Sequence, residues 1–349
     1  MAYTVIRANL ESDQEQILKL WERNSLDIPQ GRFSWVYGLN PAGQAICWML
    51  RDTTRNAMVG AAVVLPVDVR VSGQIRRAGI AVDFVVDKAY RVLGPALLLQ
   101  KAVISTCEEN GLDFLYGYPN SLSVRVLLRA GFKTAGSITW LTKPIRTRRW
   151  LEESTGLSLI PSLLAKPFDL ALRLRSKEAR YRNPGHYSCS VLSAFDERCD
   201  ALWAAARDHY RVAVERTSNY LNWRYARSPL RKYSIFALEQ RANGDLLGYV
   251  VSYDTPGKAH IVDLVSLDYS VTFDALMSEY LLWQERQGQE SVSMVYFGGE
   301  TLADRLKAFG FIKRPTDDRM LVYAGASSPL WPFLSSQDHW HMMEGDTDL

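Results

Sequence analysis

Ala81-Val82-Asp83-Phe84-Val85-Val86-Asp87-Lys88-Ala89-Tyr90-Arg91-Val92-Leu93-Gly94-Pro95-Ala96 runs from an apolar strand through a tight turn into a helix. The β-branched and aromatic residues up to Val86 predict the strand. Pro95 stands where a first helical turn tolerates a missing N–H, and Gly111 where a helix end favours glycine, which predicts a helix from about Pro95 to Glu109. N–H groups at such a helix start lack partners within the helix and point outward. Together with the helix dipole they can hold a phosphate. Gly94 lets the backbone approach a ligand closely, and Arg91 adds charge.

Around this stretch the chain repeats itself. Trp35-Val36-Tyr37-Gly38-Leu39-Asn40-Pro41 recurs as Trp223-Arg224-Tyr225-Ala226-Arg227-Ser228-Pro229, 188 residues later. Val59-Gly60 is echoed by Leu247-Gly248 at the same offset, and Val82-Asp83 by Val262-Asp263 at an offset of 180. Leu128-Arg129-Ala130-Gly131-Phe132 returns as Leu306-Lys307-Ala308-Phe309-Gly310-Phe311 with one insertion. Echoes in the same order at nearly constant offset indicate two copies of one domain. In the first copy, a helix over Gln14–Arg23 precedes strands near 45–51, 59–67 and 80–86. After the helix at 95–109 come a strand at 113–116 and a helix at 121–129. In the second copy, strands near 234–238, 247–253 and 260–266 precede a helix near 273–287. The fold class is α/β with a mixed sheet, twice.

With 349 residues, 47% hydrophobic and 23% charged, the chain has ordinary globular composition and length for two cores. Forty-one basic against 38 acidic residues leave a net charge of +3, too small to predict nucleic-acid binding. Cys47, Cys107, Cys189 and Cys199 are scattered without a C-x-x-C pair, and no histidine spacing beyond His339-x-His341 suggests a metal, so none is expected. The N-terminus has no apolar signal core, and a cytoplasmic protein is expected. The reading divides the chain into domains at 1–142 and 186–325, a linker at 143–185 and an acidic, aromatic tail at 326–349. Residues 143–182 hold ten basic and four acidic residues around an apolar run broken by Pro161 and Pro167. Two readings stand: a connecting helical hairpin, or a peripheral contact with anionic membrane. The tail can fold back on the basic linker or hang loose.

The turn resembles a family signature. Arg91-x-x-Gly94-x-Ala96 is similar to the pyrophosphate-binding motif of the GNAT superfamily of acyl-CoA N-acyltransferases. Asn120, eleven residues before Gly131-Phe132, matches that family's spacing around its last core helix. The resemblance spans most of residues 3–142 and, more faintly, 186–323. It implies two GNAT-like domains in tandem, each a mixed, mostly antiparallel sheet flanked by helices, with acetyl-CoA or another acyl-CoA as co-substrate in an opening between two splayed strands. It also implies that the backbone of Phe84, Val85 and Val86 pairs with pantetheine and that Arg91, Val92, Leu93, Gly94 and Ala96 hold the pyrophosphate. Asn120 would contact the cofactor near the second splayed strand. The tyrosine that the family often carries seven residues after the asparagine is Leu127 here. The acid for the leaving thiolate must be found elsewhere, and Tyr116 and Tyr118 lie nearby in sequence.

A neutral amine must attack the thioester, so a carboxylate that accepts a proton would help. Asp83 interrupts the apolar strand just before the turn. Strict alternation would set it opposite Val82 and Phe84, toward a cleft; its alternative is a strand-edge carboxylate bonded to Arg76 or Arg77. In the second copy, Val271, Asp274 and Leu276 replace Arg91, Gly94 and Ala96, so a pyrophosphate should be repelled there. That copy would instead wall the acceptor pocket, with Asp263 or Glu300 meeting the amine, or be a degenerate copy with solvated carboxylates. Trp35, Tyr37, Trp223 and Tyr225, being equivalent, suggest shared packing. The expectation is an N-acyltransferase acting on a small-molecule amine such as an amino sugar or amino acid derivative. The alternatives are a non-catalytic CoA-binding scaffold, or a Fem-type aminoacyltransferase with an aminoacyl-tRNA donor.

Overall fold

The computed structural model describes residues 3–24, 29, 31–91, 93–105, 107–146, 176–314 and 316–347. The first half runs β1 (Tyr3–Arg7), α1 (Gln14–Arg23), a π-helical turn (Ser34–Gly38), β2 (Ile46–Asp52), β3 (Ala57–Val71), β4 (Gln74–Val86), α2 (Leu93–Ser105), β5 (Phe114–Gly117), α3 (Ser121–Ala130), β6 (Lys133–Ser137) and β7 (Thr139–Pro144). After α4 (Lys177–Arg180), the second half repeats this order with a strand and a short helix inserted before its π-helical turn and a short helix and a strand added at its end. It runs β8 (Tyr187–Leu192), α5 (Glu197–Ala206), β9 (Val212–Val214), α6 (Ser218–Leu221), a second π-helical turn (Asn222–Ala226), β10 (Ser234–Gln240), β11 (Leu246–Thr255) and β12 (Lys258–Ser266). It continues with α7 (Val271–Arg286), β13 (Ser291–Gly298), α8 (Glu300–Ala308), β14 (Ile312–Arg314) and β15 (Arg319–Tyr323), then α9 (Trp331–Leu334) and β16 (Trp340–Met343). Most of the possible membrane segment, 147–175, lies outside the described residues, as does Val92.

Local physics accounts for these elements. In α1, Ile17, Leu20 and Trp21 form one buried stripe at helical spacing, while Lys19 and Glu15 pair on the outer face. Strand β3 is apolar and buried almost throughout because it lies between β2 and β4 and is covered on both faces. Helix α3 starts at Asn120, whose side chain caps it, and stops at Gly131, whose φ of 126° suits glycine.

Strands from both halves join in one mixed, mostly antiparallel sheet, ordered β6-β15-β5-β4-β3-β9-β16-β13-β12-β11-β10-β8, with β1 and β2 beyond β3 and β7 and β14 beyond β13. The halves exchange strands reciprocally. β15, from the second half, lies between β5 and β6, with Val322 opposite Tyr116 and Arg319 opposite Ser137. β7, from the first, lies between β13 and β14, with Val295 opposite Trp140 and Lys313 opposite Leu141. The boundaries at 142 and 186 mark the sequence repeat, while hydrogen-bonded pairing crosses them.

Helices α2 and α3 cover one face of the first half, with Leu99, Val103 and Leu127 packed in a cluster with Trp48, Val64 and Leu115. The other face fuses with the second half: Trp21, Tyr37, Val82 and Tyr116 share a core with Trp203, Trp223 and Trp340. Within it the two π-turns meet through equivalent residues, Trp35 and Trp223, whose rings lie 5.4 Å apart. Trp35 Nε1 donates to the Trp223 carbonyl at 3.0 Å, and Trp223 Nε1 returns the bond at 3.1 Å. The four repeated aromatics are buried and act in packing. Nearby, Arg70 of β3 donates to Glu215, which also accepts from Trp203 Nε1, tying the halves through buried polar groups.

Candidate functional site

Strands β4 and β5 pair in parallel only from Ala78 opposite Phe114 to Ile80 opposite Tyr116. Beyond that, β4 continues to Val86 with pairing on its β3 side alone among the described residues. A V-shaped opening results, and the β4 edge at Phe84, Val85 and Val86 lines it.

A β-bulge shapes this edge. Val82 faces Val63 and Val85 faces Ala61, so Asp83 and Phe84 together oppose one residue of β3. Asp83 takes φ 47°, a left-handed conformation that a short polar side chain tolerates better than most. The bulge also overturns strict alternation: Val82 packs in the core between the halves, while Phe84 packs on the side of α2 and α3. The Asp83 carboxylate accepts from Arg32 at 2.9 and 3.1 Å and from the Tyr37 hydroxyl at 2.7 Å. Arg76 and Arg77 bond elsewhere, to Gln74 and to the Ala42 carbonyl. Asp83 is therefore a tethered carboxylate that holds the bulge, with most of its accepting capacity taken.

The turn after β4 is braced from α1. Asp87 accepts from Arg23 and Asn24. Arg91 is exposed and folds back, its Nε donating to the Val86 carbonyl at 2.9 Å and its Nη2 to Asn24 at 3.1 Å. Helix α2 begins at Leu93. A Cβ at Gly94 would meet nothing within 4 Å, so the ground in front of this helix start is open. Ala96 is buried behind it. Across the opening, Asn120 Oδ1 is occupied by the N–H groups of Leu122 and Ser123 at 3.2 and 3.1 Å, leaving its amide nitrogen as a donor. Leu127 is a core residue on the inner side of α3.

Two tyrosines leave β5 differently. Tyr116 is buried and donates to the Asp346 carbonyl at 2.9 Å. Tyr118 donates to Asp318 Oδ2 at 2.8 Å, and that oxygen also accepts from Thr316 and Trp140. Burial, and then the bond to Asp318, push the Tyr118 phenol up. The bond from Thr316, followed by those from Tyr118 and Trp140, holds the Asp318 carboxyl below its usual range against the effect of burial.

The second half has the same splay, but its own chain fills it. Pairing of β12 with β13 ends at Ile261 opposite Met294. Beyond it β16 pairs with β13, placing Met343 opposite Tyr296 and His341 opposite Gly298. Tyr296 pairs with β7 on its other edge, so β16 sits on the β12 side, inside the opening. His341 Nε2 reaches the Leu264 carbonyl at 3.4 Å, and β9 continues the ladder from β16 to β3. Residues 340–343 of the tail thus do not hang free: all four are buried in a strand slot between β13 and β9. Asp274, in the place of Gly94, pairs with Lys177 and Arg305 in the first turn of α7.

Neither carboxylate expected to meet the acceptor is free. Asp263 is enclosed, bonded to Arg216 Nε at 3.1 Å, while Arg216 Nη2 pairs with Asp346 at 2.7 Å. Glu300 is exposed at the start of α8 and pairs with Lys313, at the opening filled by β16.

The sequence reading missed three residues beside the open site. Glu344 follows the plugging strand; its Oε1 accepts from the Tyr253 hydroxyl at 3.3 Å and lies 3.6 Å from Arg231 Nη1. Burial raises its carboxyl above the usual range. Arg231 stacks over the Tyr253 ring at 4.4 Å. Arg224 is buried and donates to the Thr347 carbonyl at 3.1 Å. The Glu-Gly-Asp run of the tail was a usable signal only once β16 was seen to lead it inward.

Among the described residues no group of His, Cys, Asp or Glu could hold a metal ion, and no helix is long and apolar enough to cross a membrane. No protein-family model and no curated protein matches the chain by sequence. Solved structures do match it by shape. One is a conserved protein of unknown function from Enterococcus faecalis V583, described as a probable N-acyltransferase. It has 15% identity and a TM-score of 0.68, covering 95% of this chain and 74% of that one. A GCN5-related N-acetyltransferase from Kribbella flavida shares 14% identity at TM-score 0.62, covering 93% and 71%. One from Anabaena variabilis shares 12% at TM-score 0.64, covering 92% and 72%. Across both halves, the chain carries the fold of the GCN5-related N-acetyltransferases.

Proposed function

We propose that the protein is an acyl-CoA-dependent N-acyltransferase, acetyl-CoA being the simplest donor, that works in the opening of the first half on an amine of a small molecule. The observation that carries this reading is the β4 edge, unpaired beyond Ile80 among the described residues, leading directly to the open helix start at Gly94. Pantetheine would pair with the backbone of Phe84, Val85 and Val86. The pyrophosphate would lie on the turn from Arg91 through Val92 and Leu93 to Gly94 and Ala96, and the amide of Asn120 would face the cofactor.

In the reaction the amine nitrogen bonds to the thioester carbonyl carbon and the carbon–sulfur bond breaks. The nitrogen loses a proton and the thiolate gains one. Glu344 is the better proton acceptor, since burial raises its carboxyl while Arg32 and Tyr37 already occupy Asp83. Asp83 positions the bulge. With Leu127 in the core, water or the acceptor supplies the proton to sulfur. The small amine acceptor, an amino sugar or amino acid derivative, enters from the side where the halves meet.

Calorimetry with acetyl-CoA followed by thiol release against a panel of amines tests the reading. Binding to the wild type together with thiol release for at least one amine supports it. Glu344→Gln should lower kcat roughly 100-fold or more, within the range of general-base catalysis, and Asp83→Asn much less. Tight binding without release for any amine would favour the scaffold reading, for which Leu127 speaks.

A further inference from the structure

Arg224 occupies the second π-turn at the position that Val36 occupies in the first. Val36 is fully buried and apolar, so the turn itself needs no charge at this point. Arg224 is also buried, at 5% exposure. No carboxylate lies within ion-pair distance of it among the described residues. Its Nε has no hydrogen-bond partner there, and Nη2 donates only to the Thr347 carbonyl. A guanidinium enclosed without a counter-charge is costly unless something completes it.

Its surroundings say where that something would sit. Arg224 and Tyr116 bond neighbouring carbonyls of the tail, those of Thr347 and Asp346, which sets the guanidinium beside the end of β5 in the open half. Its charge is felt by Tyr116, Tyr220, Tyr233 and Glu344. Resting on the N-acyl-transfer reading, we infer that the acceptor amine carries an anionic group, a carboxylate or a phosphate, which Arg224 binds as its missing counter-ion. Arg231 offers a second, exposed cation beside Glu344. The acceptor is then an amino acid or an amino sugar phosphate rather than a simple amine, its anion at Arg224 and its amine toward Glu344.

Thermal unfolding of the wild type and of Arg224→Met, each titrated with inorganic phosphate and separately with sodium acetate, tests this without knowledge of the acceptor. The wild-type midpoint should rise with at least one of the two anions and saturate, and the arm that responds tells phosphate from carboxylate. Arg224→Met should lose that response and, without anion, unfold no earlier than the wild type. An equal rise in both proteins would place the anion elsewhere, for instance at the α2 turn, and overturn the assignment. So would no rise in either arm, or a Met variant that unfolds well before the wild type, since arginine would then be there for the fold. Arg224→Lys keeps a charge and should retain part of the response. Coenzyme A calorimetry on the same proteins reads the N-acyl-transfer proposal separately: no binding to the wild type would sink that proposal and leave the anion result standing.

Discussion

The two openings of this molecule have one origin in sequence and opposite fates. In the first half, β4 ends with no partner strand on its β5 side among the described residues, beside an open glycine. In the second, β16 lies in the equivalent slot, and Asp274, in the glycine's place, is tied to Lys177 and Arg305. The carboxylates differ likewise. Asp83 is partly exposed and held by one arginine and one tyrosine, whereas its equivalent Asp263 is sealed in with Arg216 and Asp346. One half leaves its strand edge open, and the other fills it with its own chain.

The comparison is broken most severely at Arg216. Arg216→Met leaves Asp263 and Asp346 buried without their shared cation and should cost about 3–5 kcal/mol in urea unfolding. Arg32→Met, its counterpart at the open slot, should cost less because Asp83 keeps Tyr37 and some water. Next is Gly94→Asp, which gives the open half the aspartate of the filled one. Coenzyme A affinity by calorimetry should fall roughly 10- to 100-fold through like-charge repulsion, with little loss of stability because the site has room. Asp274→Gly should not create a second coenzyme site, since β16 still fills the slot.

Acid should cost the fold the stability tied to two neutral histidines. Burial, and then the charge of Arg216, hold the His341 imidazole well below its usual range, while burial pushes His260 down to about 4. Below about pH 6.5 the unfolded chain takes up protons that these folded histidines refuse. Stability present above that pH is then lost as pH falls, by up to about 1.4 kcal/mol per pH unit for each. His341→Gln should flatten the slope by one histidine's share in urea melts at pH 7, 6 and 5. The smallest effect belongs to Glu300→Ala: an exposed ion pair with Lys313 should be worth under about 0.5 kcal/mol, with thiol release unchanged.

Much of the architecture was legible because it is local. Alternating and helical patterns give α1 to α3 and β2 to β5 of the first half and β10 to β12 and α7 of the second, and Pro95 and Gly111 bracket the helix after the turn. The exchanged strands Thr139–Pro144 and Arg319–Tyr323 were not among the expected elements, and nothing in their residues names the half they join. The site was readable in part. The sequence fragment from Arg91 to Ala96 points to the helix start, but Asp83 misled because a one-residue bulge reverses the alternation on which its role rested. Arg224 and Glu344 come from a distant turn and the tail, and only the folded chain sets them beside Tyr116 and Tyr118.

The exchange of β7 and β15 has a consequence for how the protein is made. The edge of β5 cannot be covered until Arg319–Tyr323 has left the ribosome, on the order of ten seconds or more after β5 itself at ordinary synthesis rates of about 5–20 residues per second. Throughout that interval the nascent first half exposes a bare strand edge, an invitation to aggregation that a chaperone or rapid translation must cover.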